Sequence, residues 1–140
     1  MPNNADTGNT GTLTFGTSGL TVNYKQVGEH EETREKLECS HLGTTGYKEY
    51  VPSDLVEPGE FEVEFYFDGA LNSLPAITGA AETITKSFPL AASQSVRATV
   101  VGTGFFIGRV FPAMANGTLM MAKGKVAFDG FTGPTYTVGS

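Results

Sequence analysis

The chain has no tryptophan, a single cysteine, few charges and no long apolar run. One cysteine, Cys39, excludes an intrachain disulfide framework and any multi-cysteine zinc cage. No stretch approaches the ~18 consecutive apolar residues of a membrane-spanning helix. The start, Met1-Pro2-Asn3-Asn4-Ala5-Asp6, lacks the basic residues and apolar run of a secretory leader. Charged residues are only 17% of the chain, while glycine reaches 18 of 140 residues, which argues against a coiled coil or helical bundle. Nine Lys+Arg against 15 Asp+Glu leave a net charge of −6, so a basic footprint for gripping nucleic acid is absent.

What is present is a Gly-, Thr-, Val- and Phe-rich pattern of short strands and turns. At 140 residues the chain is long enough for one β domain with an adequate core. Residues 1–10 are polar and read as a flexible arm, leaving 11–140 as a single β domain. Alternation predicts strands over 13–15, 20–24, 47–51, 60–68, 83–88, 95–101, 104–111, 118–128 and 134–138. Pro52 is expected to stop the third of these, and residues 53–57 to form a single helical turn. Gly102-Thr103-Gly104 and Asn116-Gly117 read as turns. The one expected helix is short, over 70–77, and ends near Pro75. The expected fold is therefore all-β, an antiparallel sandwich or barrel with one short flanking α-helix.

Strand 60–68 is the most regular element. Phe61, Val63, Phe65 and Phe67 fall on one face, and Glu60, Glu62, Glu64, Tyr66 and Asp68 on the other. The first face is expected to pack with Val100, Ile107 and Phe128. Residues 28–38 contrast with it, because only Leu37 is apolar among charges and His30. Such a segment buries no face within one chain. It reads either as a solvated loop or as a projecting arm that meets another subunit.

Catalytic readings are weak. Cys39-x-His41 with His30 nearby matches no common zinc spacing, and Cys39 reads as a small buried hydrophobe. Glu60, Glu62 and Glu64 sit at a separation compatible with paired carboxylates, about 7 Å for same-face neighbours. Nothing tunes one as acid and its neighbour as base, and the aromatic platform common in sugar sites has no tryptophan to supply it. The Gly102–Gly104 run is followed by no helix, so it is not a phosphate cradle. Asn116-Gly117-Thr118 is formally a glycosylation sequon, read here as a turn. No catalysis, metal or cofactor is expected.

Residues 34–52, REKLECSHLGTTGYKEYVP, resemble a segment of the tail tube proteins of long-tailed bacteriophages. In that family a strand ending in a THxGT-like run leads to an aromatic-Lys-Glu strand; here Ser40 stands where Thr is frequent. Asp54-Leu55-Val56-Glu57-Pro58-Gly59-Glu60 is similar to the family's L-x-[D/E]-P-G-E turn, and Phe67-Asp68 to its F-D-P end, with Gly69 in place of proline. Gly108-Arg109-Val110 and Pro134-Thr135-Tyr136-Thr137 look like its last two strands. The resemblance spans roughly residues 13–138. It implies a structural virion protein, assembled in the host cytoplasm, of which six copies form a ring. Stacked rings make the tail tube through which viral DNA passes without specific binding. The partners it implies are other copies of the chain, the tail tip, the tape measure and the terminator. An acidic wall suits such a conduit, since a basic one would retain phosphates.

On this reading Glu29, Glu31, Glu32, Arg34, Glu35, Lys36 and Leu37 are expected at contacts between subunits or rings. Glu60, Glu62, Glu64 and Asp68 are expected to line or approach the lumen. The alternatives are another tail or capsid component, such as a terminator or decoration protein, or a β-sandwich module that binds a surface.

Overall fold

β-Branched and aromatic residues at alternate positions suit a pleated, half-buried surface. A computed structural model describes residues 8–17, 20, 22–69, 77–91 and 93–140, and among these there are nine strands and no helix. In chain order they are β1 (Thr12–Phe15), β2 (Asn23–Val27), β3 (Thr33–Glu38), β4 (Tyr50–Glu57), β5 (Glu60–Tyr66), β6 (Glu82–Ser87), β7 (Thr99–Val110), β8 (Met121–Phe128) and β9 (Thr135–Thr137). All pairings are antiparallel. Seven strands form one sheet in the order β1-β6-β7-β8-β5-β2, with β9 joined to β7, while β3 and β4 form a separate two-stranded sheet. The expected helix over 70–77 lies, apart from Ile77, outside the described residues, as do residues 1–7 of the expected arm. The described end of that segment is held at one point, where Arg97 Nη1 donates to the Thr10 carbonyl at 2.7 Å.

The large sheet folds over its own apolar face. β6 and β5 are three strand spacings apart, about 14 Å in a flat sheet. Yet Lys86 Nζ on β6 lies 5.7 Å from the Phe61 ring centroid on β5. The folded sheet is thus one continuous ladder and also two packed layers. The enclosed core comprises Leu13, Phe61, Val63, Phe65, Ile84, Phe106, Ala122, Val126 and Phe128, with Phe67 partly buried against it. Phe15 and Phe106 bring β1 and β7 together at 5.0 Å between centroids.

Several expected boundaries are corrected. Residues 95–101 and 104–111 belong largely to one long strand, β7, and Gly102-Thr103-Gly104 is not a turn. These glycines are needed for close packing: a Cβ on Gly104 would strike the Ala127 carbonyl, and one on Gly102 would come within 3.0 Å of the Phe128 ring. Ile107 is exposed and Phe106 takes the core position, because residues 99–110 are one strand and alternation from the buried Val100 through Gly102 and Gly104 reaches Phe106. Val100 is buried as expected. Pro52 does not end a strand, since β4 runs through it to Glu57, and residues 53–57 are extended rather than helical. In a two-stranded ribbon each strand has an open edge, where a residue without N–H removes no ladder bond.

Candidate functional site

The β3–β4 ribbon gathers every residue expected at subunit contacts. Arg34, Glu35, Lys36 and Leu37 lie in β3, and Glu29, Glu31 and Glu32 in the exposed chain leading to it. Every residue of β3 is exposed. The segment is therefore not a loop but half of a hairpin, with Thr33 opposite Glu57, Arg34 opposite Val56, Leu37 opposite Val51 and Glu38 opposite Tyr50. Local interactions order it. Arg34 Nε donates to the Ser53 carbonyl at 2.6 Å, and the Lys36 ammonium sits 4.2 Å from the Tyr50 ring centroid. Near the tip, Cys39 N donates to the Glu49 carbonyl at 2.9 Å, and His41 N donates to Thr44 Oγ1 at 3.0 Å. Gly43 N donates to His41 Nδ1 at 3.0 Å, so that ring nitrogen is occupied within the turn.

The ribbon is rooted in the core by His30. Its Nε2 donates to the Pro58 carbonyl at 2.6 Å, and its ring lies 4.9 Å from that of Phe128 and 6.4 Å from that of Phe61. Gly59 at φ +83° lets the chain pass beside it, since a Cβ there would collide with the Glu31 carbonyl. His30 thus belongs to the base, while Cys39 and His41 belong to the tip. Among the described residues no group of three or more His, Cys, Asp or Glu is placed to hold a metal ion. Cys39 is exposed, not buried, because the strand that precedes it has no core to enter.

The ribbon exposes apolar surface as well as charge. Leu37 is 48% exposed, Val51 44%, Leu55 80% and Val56 53%. Residues 28–58 hold eight of the acidic residues against Arg34, Lys36 and Lys48, a net of −5 from a chain total of −6. Val51, Leu55 and Val56 were not singled out from the sequence. The signal available was Val51 before Pro52 and the pair Leu55-Val56 beyond it, masked by the expectation that proline ends the strand.

The second expected surface lies on β5. Glu60, Glu62 and Glu64 share the face opposite the core, and Asp68 follows the end of the strand. They do not form a purely acidic wall. Glu62 pairs in register with Lys125 and Glu64 with Lys123, and Lys125 Nζ contacts Glu60 Oε1 at 2.9 Å. The hydrogen bond and charge of Glu60 hold the Lys125 ammonium above its usual value. An open groove of about 620 Å3 runs over this face, floored by β5 and edged by Gln26 and Lys123.

A third feature is the seam between β1 and β2, the outer strands of the folded sheet. A groove of about 590 Å3 there is bordered by residues 8–12, 24–27 and 86–89. Lys86 Nζ donates across it to the Gly28 carbonyl at 3.1 Å, and burial pushes that amine below its usual value. The Tyr24 hydroxyl is buried with no hydrogen-bond partner among the described residues, and burial pushes it well above the usual phenol range.

No family model matches this chain, and no curated protein sequence matches it. Among the described residues no helix is long and apolar enough to cross a membrane.

Proposed function

We propose that this chain is a structural subunit of a phage tail tube, in which six copies form a ring and stacked rings conduct viral DNA. One observation carries the reading: a two-stranded ribbon, exposed on both faces, extends from a well-packed sheet. An isolated two-stranded hairpin is marginal in water. A ribbon bearing Leu37, Val51, Leu55 and Val56 gains its stability when another surface covers them. The resemblance at residues 34–68 supports the same reading, since it falls on the ribbon and on β5. The proposed role is non-catalytic and needs no cofactor. Its proposed setting is the virion tail, with tail tip, tape measure and terminator proteins as further partners.

Within this reading the β5 face with Glu60, Glu62 and Glu64, and Asp68 beyond it, lines or approaches the lumen. The lysines beside the three glutamates reduce the repulsion expected between same-face acids, while the chain as a whole stays negative. That balance suits a wall that neither binds phosphate nor destabilises its own sheet. Negative-stain microscopy of concentrated full-length protein tests the assembly: rings with six-fold symmetry or tubes are expected, and monomers at every concentration would refute it. Glu62→Cys in a Cys39→Ser background tests the lumen. A bulky thiol reagent should react slowly with intact tubes, and rapid, complete labelling would put this face outside.

A further inference from the structure

Among the described residues the outer edges of β1 and β2 have no backbone partner. An open edge is a template on which another extended segment can add. The seam groove between them is lined by residues 8–12 on one side and 24–27 on the other. Successive side chains in a strand point to opposite faces, so a groove touched by whole runs of them follows the edges rather than one face.

The chain enters this groove through a tight turn. Gly11 N donates to the Gly8 carbonyl at 3.2 Å, which reverses direction over four residues. Within the turn Thr10 has φ +74°, a left-handed conformation that strains a β-branched residue. Arg97 Nη1 holds it there by donating to the Thr10 carbonyl at 2.7 Å. Such a reversal sends the residues before Gly8 back antiparallel to β1. β6 already occupies one edge of β1, so the edge that remains is the one facing the groove.

Length and charge fit the same occupant. Residues 1–7 precede Gly8, and with Gly8 opposite Gly11, residues 5–7 fall opposite 12–14. Seven extended residues reach about 23 Å at ~3.3 Å each, more than the roughly 14 Å spanned by the four groove residues of β2. Lys25 and Lys86 line the groove, and among the described residues no acid does; Glu29, Glu62 and Glu64 line the separate groove over β5. Asp6, two residues before Gly8, supplies the opposite charge. We infer that residues 2–7 lie extended in the seam, added to the free edge of β1 and filling the gap to β2. There the segment shields both edges from pairing with another chain. This inference does not depend on the tail tube reading.

Hydrogen exchange in dilute full-length protein tests it. Deleting residues 2–7 should speed exchange at least tenfold at the β1 amides that point away from β6, and leave the β8 amides unchanged. Thr10→Pro, which cannot hold φ +74°, should do the same with the whole segment still present. Unchanged exchange in either variant overturns the inference. Cross-linking then identifies the occupant. In a Cys39→Ser background, Ala5→Cys is combined either with Gln26→Cys in the seam or with Val96→Cys, an exposed position next to the Arg97 that holds the turn. A short bismaleimide should link position 5 to position 26 within one chain, and at least tenfold less to position 96. Equal linking at both positions, as from an unanchored segment, overturns the inference. Links between chains overturn it too, since another copy's segment would then fill the seam.

Discussion

β3 and β5 are strands of similar length in one chain, and they meet opposite fates. In β5 the alternate residues Phe61, Val63 and Phe65 are buried, while in β3 every residue is exposed. Both make antiparallel ladders, so backbone hydrogen bonding does not distinguish them. The difference is the second layer. β5 lies between β8 and β2 in a sheet that folds over its own apolar face, whereas among the described residues β3 has only β4 beside it. Burial at about 25 cal/mol per Å2 of apolar surface offsets the cost of ordering the chain in β5. In the ribbon, that contribution is missing until another molecule supplies a covering surface.

The sharpest way to break the comparison is inside the core. Phe65→Ala should cost about 3–5 kcal/mol, the usual range for a buried aromatic. Denaturant unfolding of the unassembled chain measures it, and a loss below about 1 kcal/mol would mean that β5 is not the centre of the core. His30→Ala acts where the two regions join. It removes a hydrogen bond contributing about 0.5–1.5 kcal/mol and frees the Pro58 carbonyl. Limited proteolysis should then cut within residues 29–58 faster, while the sheet unfolds nearly as before; an unchanged cleavage rate would remove His30 as the anchor.

Tyr24→Phe tests the seam. The folded phenol lies above its unfolded value of 10.0, so its contribution to stability is present below pH 10.0 and is lost as pH rises through the folded value. The Phe variant should be as stable as the parent at pH 7 or more so, by up to about 1 kcal/mol, because an unpaired buried hydroxyl is removed. It should also lose less stability above pH 10.0, read from thermal melts across that range. Lys86 contributes in the opposite sense. Its folded value is lowered, so stability rises with pH between that value and 10.5, and Lys86→Met should flatten this rise. The smallest effect on folding and the largest on assembly are expected in the ribbon. Leu55→Asp, at an exposed position, should change unfolding by no more than about 0.5 kcal/mol yet abolish higher-order species in light scattering.

The all-β class, the buried face of β5 and most strands were legible in the sequence, because a period of two is a local property that packing rarely reverses. The charged residues 31–38 were legible as a stretch without a core face for the same reason, whereas the packing of His30 on Phe61 and Phe128 was not. Other features depended on residues far apart in sequence. Gly102 and Gly104 look like turn residues until Phe128, Ala127 and Ile84 arrive beside them, and then only glycine fits. Phe106 rather than Ile107 enters the core because that close packing keeps residues 99–110 in one strand, so alternation from Val100 runs on through Gly102 and Gly104 to Phe106. Pro52 continues a strand because its partner β3 leaves an open edge. The acidic face of β5 became a mixed ladder only once β8 set Lys123 and Lys125 against it. Alternation assigns a residue to one of two faces; what stands opposite each face is set by strand order and sheet folding, which no local pattern encodes.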